Sequence, residues 1–368
     1  MGLAAMLAWF AALIFGLPVG GSYGALHWHA HEMLFGYTSA SLAGFMLTAI
    51  PNWTGRLPVS GTPLALLGLL WISGRVAMAM PDLFGLYAAA AIDAIFLPAL
   101  GLIAAREIGT GRNWKNLHVV VGLALLTTAN IWFHLSVLSA GDTGYPHRMA
   151  ISVWLLLVTL VGGRLAVSFT NNWLSRRGVS ALPASFGLFD RFAFLFSLAA
   201  LASWIALPGS GLTLATCGAA GLVQLWRLSR WRGWTTFAEP LVAVLHVAYF
   251  FVPLGFLTIA ASAGGFIGQT AALHVLTVGV IGTMTLSVMT RVTRGHTGNP
   301  LHAGGLTTSI YVCIALSALV RPLADFLPDR YVGVLGLSAL LWIMAYTLFL
   351  AEYAPMLLRP RRQAGGPL

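Results

Sequence analysis

The stretch that decides the fold covers residues 240–261 and reads PLVAVLHVAYFFVPLGFLTIAA. It contains no Asp, Glu, Lys or Arg. As a helix rising about 1.5 Å per residue, it would be about 33 Å long. This length crosses the roughly 30 Å hydrocarbon core of a bilayer, so the stretch is typical of a transmembrane helix.

Eleven other predominantly apolar runs of similar length recur along the chain. Together they predict an all-α polytopic membrane helix bundle of about twelve transmembrane helices. The first and eighth runs are the least regular, because they are short or interrupted by glycine. No polar linker separates the runs, so residues 1–368 are predicted to form a single transmembrane domain. The predicted spans, numbered in chain order, are 3–19, 32–50, 63–80, 83–104, 117–138, 148–169, 189–206, 212–227, 240–261, 269–290, 306–326 and 331–353.

The overall composition excludes a soluble globular protein. Charged residues make up 8% of the chain and the mean hydropathy is +0.84, whereas about a quarter of the residues of a soluble domain are charged. The net charge of +10 would suggest nucleic acid as a partner of a soluble chain. Here membrane lipid is the expected partner and nucleic acid is not.

The basic residues concentrate on one side of the predicted bundle. Because cytoplasmic loops are enriched in Lys and Arg, both termini are predicted to be cytoplasmic and the start of span two to face outward. No basic segment precedes the first span, so that span is interpreted as a retained helix rather than a cleaved signal peptide. The residues in loops after even-numbered spans or in the tail are Arg56, Arg106, Arg112, Lys115, Arg176, Arg177, Arg227, Arg230, Arg232, Arg291, Arg294, Arg359, Arg361 and Arg362.

The start of span two carries the best functional clue. Residues 27–37 read HWHAHEMLFGY and place His27, His29, His31 and Glu32 at the mouth of an apolar span. Imidazoles gathered there indicate a metal, a haem or proton transfer, although three interfacial side chains are the plainer alternative. On a helix His27 and His31 would share a face and His29 would point away, whereas an extended segment would align all three.

Glu32 has two interpretations of equal weight. Its carboxylate could orient a ligating imidazole, or it could sit favourably at the positive end of span two. Within the membrane, Asp93 lies in the middle of span four, where a charged carboxylate costs about 2.5–3.5 kcal/mol. Asp93 therefore needs a partner or a proton. Arg75 and Arg164 are candidate partners, although a plain structural role is favoured for both.

Four more histidines are candidate cofactor ligands. His134 lies near the end of span five, where Asn130 one helical turn earlier could hydrogen-bond its ring. His147 precedes span six and His274 opens span ten, followed by glycines that leave room for a macrocycle or for a close helix neighbour. His246 lies inside span nine and could bind a second cofactor or a backbone carbonyl. The two cysteines, Cys217 and Cys313, are interpreted as small buried apolar residues.

Spans two, six and ten share a weak pattern. Each has a histidine near its outer start and a polar or basic close at its inner end; the histidines are His31, His147 and His274. A period of four helices predicts three four-helix repeats that surround a common centre.

Five motifs are spread over most of the chain: HAHEMLFGY at 29–37, PNWTGR at 51–56, HVLTVG at 274–279, MTR at 289–291 and GHTG at 295–298. Together they resemble the NnrS family. The resemblance implies a bacterial inner-membrane protein of about twelve helices that carries haem and copper and is linked to nitric oxide and nitrosative stress. His29, His31, Glu32, His274 and His296 are carried over only as motif members.

The twelve-helix pattern also looks like that of haem-copper oxidases and nitric oxide reductases. By this analogy, His31 and His274 are expected to be the axial ligands of a haem b, while His134 and His147 would serve copper or a second haem. The analogy is incomplete because span ten has no His-x-His and span seven has no histidine.

The function expected from these resemblances is to bind, reduce or detoxify nitric oxide, as a possible oxidoreductase fed by an unidentified electron donor. Glu32 and Asp93 are the candidate catalytic proton carriers. Two alternatives stay open. One is a transporter in which His27, His29 and His31 recruit a metal ion, and the other is a haem sensor without turnover.

Overall fold

The structure is a computed structural model that describes residues 1–359, so that Arg361 and Arg362 of the predicted cytoplasmic tail lie outside the described residues. Residues 1–359 form helices and no strand. This confirms the predicted all-α polytopic membrane bundle. The helices long and apolar enough to cross a membrane are Ala25–Thr54, Thr62–Ala79, Leu86–Thr110, Trp114–Leu138, Gly144–Ser175, Leu188–Ala206, Pro240–Ala263, Gln269–Thr297, Gly305–Phe326 and Pro328–Leu358.

These ten helices correspond to predicted spans two to seven and nine to twelve, and they keep those numbers below. The first and eighth positions are also helical. Gly2–Phe15 is apolar but only 14 residues long and ends at Gly16, whose positive φ of 66° closes the helix. The helix Gly211–Ser229 is capped at its N-terminus by Ser210, whose hydroxyl accepts a hydrogen bond from the Thr213 amide. Its buried Gln224 and Arg227 make it more polar than the other spans.

Span two starts at Ala25, seven residues before the predicted start at Glu32. The three histidines lower the local hydropathy, but backbone groups at membrane depth must be paired, which favours extending the helix past its apolar part. His27, His29 and His31 therefore lie on one helical segment, Ala25–His31, and the helical alternative is the correct one.

Spans two, six and ten each contain a π-helical segment. These are Glu32–Tyr37, Val158–Gly162 and Val275–Gly282, and residues 1–359 contain no other. π-Helical turns are rare and occur frequently at functional sites. The three spans that share a histidine pattern in sequence thus share a local irregularity as well, while the arrangement of three repeats around a centre stays a prediction.

The chain folds into two compact units, Met1–Val153 and a second that starts at Trp154. In the first unit, fully buried side chains include Tyr23, Met46 and Phe133. Its third span is only 22% buried and presents large exposed apolar residues, as expected of a lipid-facing helix. The second unit has Tyr249, Phe256 and Trp342 in its core. The predicted single domain stays a prediction.

Two sequence interpretations are decided by packing in the second unit. Cys217 and Cys313 are buried free thiols, as predicted. A methyl group added to Gly279 would overlap the Phe251 ring, and one added to Gly282 would overlap Trp342. Both glycines of span ten therefore serve close packing against aromatic side chains, the second of the two alternatives considered.

Candidate metal centre

Three membrane-buried residues of the first unit converge on one point. His31 comes from span two, Asp93 from span four and His134 from span five, and each offers one ligand atom within 4.8 Å of the others. All three are almost inaccessible, with exposed fractions of 0%, 3% and 3%. Imidazole nitrogen and carboxylate oxygen are a donor set that suits iron, copper or zinc.

The point of convergence is one carboxylate oxygen, Oδ2 of Asp93. Nε2 of His31 and Nε2 of His134 each lie 3.0 Å from it. Nδ2 of Asn130 donates to the same oxygen, also at 3.0 Å, while its Oδ1 lies 3.0 Å from His31 Nε2. Asn130 thus contacts His31 and Asp93 rather than the His134 ring suggested by helical spacing, because its amide is turned toward the neighbouring spans.

The other ring nitrogen of each histidine is also held in place. Nδ1 of His31 lies 3.2 Å from Oε1 of Glu32. The hydroxyl of Tyr23 lies 3.0 Å from Nδ1 of His134. Histidines that ligate metals usually use their second nitrogen in this way, which fixes the orientation of the ring. Of the two interpretations of Glu32, the structure supports the orienting one.

Tyr23 is a member of this cluster that the sequence did not reveal. It lies outside the spans, on a short 3₁₀ turn, Gly21–Tyr23, within the sequence GGSYG. Burial, and then the nearby Glu32 carboxylate, raise the pKa of its phenol. The hydroxyl therefore keeps its proton and can donate to His134. The only signal in the sequence was an aromatic hydroxyl in a glycine-rich turn just before the histidine segment.

The two carboxylates of the cluster are paired with a single arginine. Arg75 of span three contacts both Oε1 of Glu32 and Oδ1 of Asp93, so two buried carboxylates share one guanidinium. With neutral histidines, this leaves one uncompensated negative charge at membrane depth, where such charges are costly. Arg75 is therefore a partner of Asp93, one of the roles that the sequence left open, and a cation or a proton would complete the charge balance.

The π-helical segment of span two brings the backbone close to this arginine. The Gly36 carbonyl accepts a hydrogen bond from the Trp71 indole of span three at 2.9 Å. A methyl group on Gly36 would overlap Nη1 of Arg75. The irregular turn and the small residue together allow span three to place its guanidinium against Glu32 and Asp93.

Two other histidines of the first unit lie beside the same aromatic ring as His31. His27 and His147 both approach the Phe133 ring edge-on, with ring centroids 6.4 and 5.9 Å away. His31 is 6.1 Å from that ring. His29 instead stacks on Trp9, with centroids 4.5 Å apart and planes 18° apart. His27 and His31 thus share a helix face and His29 points elsewhere, as the helical alternative predicts.

Two candidate ligands belong to the second unit. His274 contacts the Thr270 carbonyl through Nδ1 at 2.8 Å. His246 contacts the Thr170 hydroxyl through Nε2 at 2.8 Å, rather than a backbone carbonyl. Its Nδ1 is buried against Gly233, where an added methyl group would overlap the ring.

Arg164, the other arginine considered as a partner of Asp93, also belongs to the second unit. Its guanidinium lies over the Phe186 ring, 4.6 Å from the centroid.

The fold and this cluster define a class of protein: a multi-pass helical membrane protein with a buried histidine–carboxylate centre. The family model for the NnrS protein matches residues 1–361. The chain therefore belongs to the NnrS family and is a membrane protein related to nitric oxide stress. No curated protein and no solved structure matches it.

Proposed function

We propose that this protein binds nitric oxide at a transition-metal ion held by His31, Asp93 and His134, and that it protects the bacterial inner membrane against nitrosative stress as a haem-copper protein. The observation that carries the proposal is the convergence of two Nε2 atoms on one carboxylate oxygen at 3.0 Å each. Metal bonds of about 2.0–2.2 Å place neighbouring ligand atoms about 3–3.5 Å apart, so the three atoms need little adjustment to hold one ion.

The charge of the cluster supports a cation at this position. Glu32 and Asp93 share Arg75, so a bound copper or iron ion would offset the excess negative charge. The orienting contacts support it as well, because Nδ1 of His31 and Nδ1 of His134 are engaged by Glu32 and Tyr23. Both Nε2 atoms would then be available to hold the ion.

The surroundings of His31 fit an ion better than a haem. Its ring is fully buried, with the rings of His134, Phe35 and Phe133 at centroid distances of 4.6, 5.5 and 6.1 Å. A porphyrin plane over Nε2 would have to displace Asp93 and Asn130. For the haem b, we therefore favour ligation by other histidines, with His274 as the leading candidate because its Nδ1 is held by a carbonyl.

A bound metal would supply an open coordination position for nitric oxide and a route for an electron. The residues supply the rest. Nitric oxide is neutral and dissolves in lipid, so a membrane-buried centre needs no polar channel for it. Glu32, joined to Arg75 and His31, and Asp93 are the groups able to hold or move protons at the centre. The electron donor and the product are left open by this proposal.

Metal analysis of the protein purified in detergent tests the assignment. Wild type grown with copper, iron and haem precursor should retain about one transition-metal ion besides any haem iron, and His134→Ala should lose most of it. His118→Ala is the matched control, since this half-buried histidine lies outside the cluster, with its Nδ1 2.9 Å from the Lys115 carbonyl. Equal metal content in all three proteins would reject the site.

Optical and electron paramagnetic resonance spectra with nitric oxide separate the competing functions. Binding that perturbs the metal signal in wild type but not in His134→Ala supports the proposal. Consumption of nitric oxide with an artificial electron donor would identify an enzyme, whereas binding without consumption would identify a sensor. A protein with neither haem nor metal would favour the transporter.

A further inference from the structure

The second unit contains a cavity of about 350 Å³ that the proposed function does not use. Its walls come from the inner half of span six, the connection to span seven, and the polar helix Gly211–Ser229. This volume lies at the lower end of the range of about 300–1,000 Å³ for small-molecule sites. The lining residues that matter here are Gly163, Arg164, Asn171, Phe186, Asp190 and Arg227.

Two guanidinium groups line this cavity close to one aromatic ring. Arg164 and Arg227 lie over Phe186, with centroid distances of 4.6 and 5.9 Å. Only Arg227 has an acidic partner: its Nε donates to Asp190 at 2.8 Å. Within residues 1–359, Arg164 forms no ion pair. The cavity therefore carries a net positive charge and suits one anion.

Arg227 is buried and rigidly held, with an exposed fraction of 1%. Its Nη1 donates to the Thr159 carbonyl at 2.8 Å and to the Tyr249 hydroxyl at 2.5 Å. These bonds and the Asp190 contact occupy two of its three nitrogens. A methyl group on Gly163 would come within 3.1 Å of the third, Nη2. The glycine thus keeps space beside a fixed cation that still has donors to offer.

Asn171 adds a second polar requirement. Its Nδ2 donates to the Pro183 carbonyl at 3.2 Å, but its Oδ1 is buried and has no hydrogen-bond partner in the described part of the chain. An unpaired buried carbonyl oxygen is unfavourable unless a ligand donates to it. The ligand should therefore combine an anionic group with a hydroxyl.

The cavity lies at the arginine-rich ends of its helices, where Arg177 and Arg230 also stack on aromatic rings. Basic pockets between membrane helices on the cytoplasmic side are suited to anionic lipid headgroups. We propose that this cavity binds the headgroup of an anionic glycerophospholipid, with the phosphodiester between Arg164 and Arg227 and a headgroup hydroxyl on Asn171 Oδ1. This binding is independent of the nitric oxide function.

Native mass spectrometry of the detergent-purified protein with phosphatidylglycerol tests the proposal. Wild type should bind phosphatidylglycerol, and Arg164→Gln should bind it about tenfold more weakly, because a charge-assisted hydrogen bond is lost. Arg177→Gln is the matched control, because it removes the same charge from a residue that does not line the cavity. The Arg177 guanidinium lies 4.1 Å from the centroid of the Trp173 ring. The affinity of this variant should stay within about twofold of wild type.

Two further ligands, tested in the same experiment, distinguish an anionic lipid from other phosphate-containing ligands. Phosphatidylcholine, which has a phosphodiester but no hydroxyl and no net charge, should bind weakly. If glycerol 3-phosphate binds as tightly as the lipid, the ligand is a soluble phosphate ester and the lipid assignment is overturned. Unchanged phosphatidylglycerol binding in Arg164→Gln, or an equal loss in Arg177→Gln, would also overturn it. Melting temperatures of both variants confirm that each is folded.

Discussion

His31 shows how a single side chain can be prepared for a metal. Glu32 engages one ring nitrogen, while Asp93 and Asn130 engage the other. The ring has little freedom left, since it is also enclosed by aromatic neighbours. A rigid, oriented imidazole loses little entropy when an ion arrives, and the carboxylate behind it raises its strength as a ligand.

Replacing Glu32 by Gln should weaken metal binding about 10–100-fold, the usual effect of removing a group that orients a ligand. Titration of the metal-depleted protein against a coloured chelator measures the change. Glu107→Gln is the control, because Glu107 is a buried carboxylate paired with Arg56 and Arg106 away from the histidines. If Glu32→Gln binds the ion as tightly as wild type, Glu32 has no orienting role.

Tyr23 should make the stability of the protein depend on alkaline pH. Its raised pKa keeps the phenol neutral in the folded state, whereas in the unfolded chain it ionises above about pH 10. The stability that this group contributes is therefore fully present below pH 10 and is lost as the pH rises further, by up to about 1.4 kcal/mol per pH unit. The melting temperature of wild type should fall more steeply between pH 10 and 11 than that of Tyr23→Phe.

The exposed Tyr87 supplies the control for this experiment, since 75% of its surface is accessible. Tyr87→Phe should show the same alkaline slope as wild type. Parallel slopes for wild type and Tyr23→Phe would mean that the Tyr23 hydroxyl gains nothing from its buried position.

For the residues of the metal centre, the sequence predicted the chemical role of the side chains better than it predicted which residues contact each other. The cost of a carboxylate in hydrocarbon showed that Asp93 needs a partner or a proton. The adjacency of Glu32 and His31 suggested that Glu32 orients the His31 ring. The contacts of Tyr23 with His134 and of Asn130 with His31 join positions 111 and 99 residues apart. Helical spacing relates only residues within a turn or two, so these contacts depend on how the spans pack.

At the scale of elements, the π-helical segment of span two couples the histidine helix to span three. In this segment the Gly36 carbonyl accepts a hydrogen bond from Trp71. Because Gly36 has no side chain, the Arg75 guanidinium can lie close to its Cα. Neither hydropathy nor helical periodicity predicted this segment, because both assume a regular 3.6-residue turn. The amino-acid composition of spans two, six and ten did not predict their π-helical segments either.

Gly36→Ala should destabilise the first unit, by about 1–3 kcal/mol, because the new methyl group would push the Arg75 guanidinium away from its two carboxylates. Gly44→Ala, in the same span, should be neutral or slightly stabilising, because its methyl group would meet open space and alanine favours helix. Thermal unfolding in detergent compares the two variants. A Gly36→Ala protein as stable as Gly44→Ala would show that the close approach to Arg75 is unimportant.

At the scale of the whole molecule, hydropathy was sufficient to predict the membrane bundle, because each span must be apolar and long enough in its own right. It also marked the first and eighth helices as irregular, because they are short or interrupted by glycine. In the structure the first is 14 residues long, and the eighth contains the buried polar residues Gln224 and Arg227. Assembly into two compact units depends on side-chain packing between spans and could not be predicted from their hydropathy.

The predicted orientation can be checked by cysteine labelling, since both native cysteines are buried. Ser139 follows span five and Ser180 follows span six, and both are exposed. In intact cells, whose outer membrane has been permeabilised, a membrane-impermeant thiol reagent should label Ser139→Cys but not Ser180→Cys. Lysis should make Ser180→Cys reactive, and the reverse pattern would place both termini outside.

The guanidinium shared by Glu32 and Asp93 has a consequence for biosynthesis. The three charged residues arrive in chain order on spans two, three and four, and each alone costs about 2.5–3.5 kcal/mol at the bilayer centre. Arg75 on span three can pair with Glu32 as soon as span three follows span two. The pairing with Asp93 forms only when span four has also emerged. The translocon should thus retain these three segments and release them into lipid as one cohort.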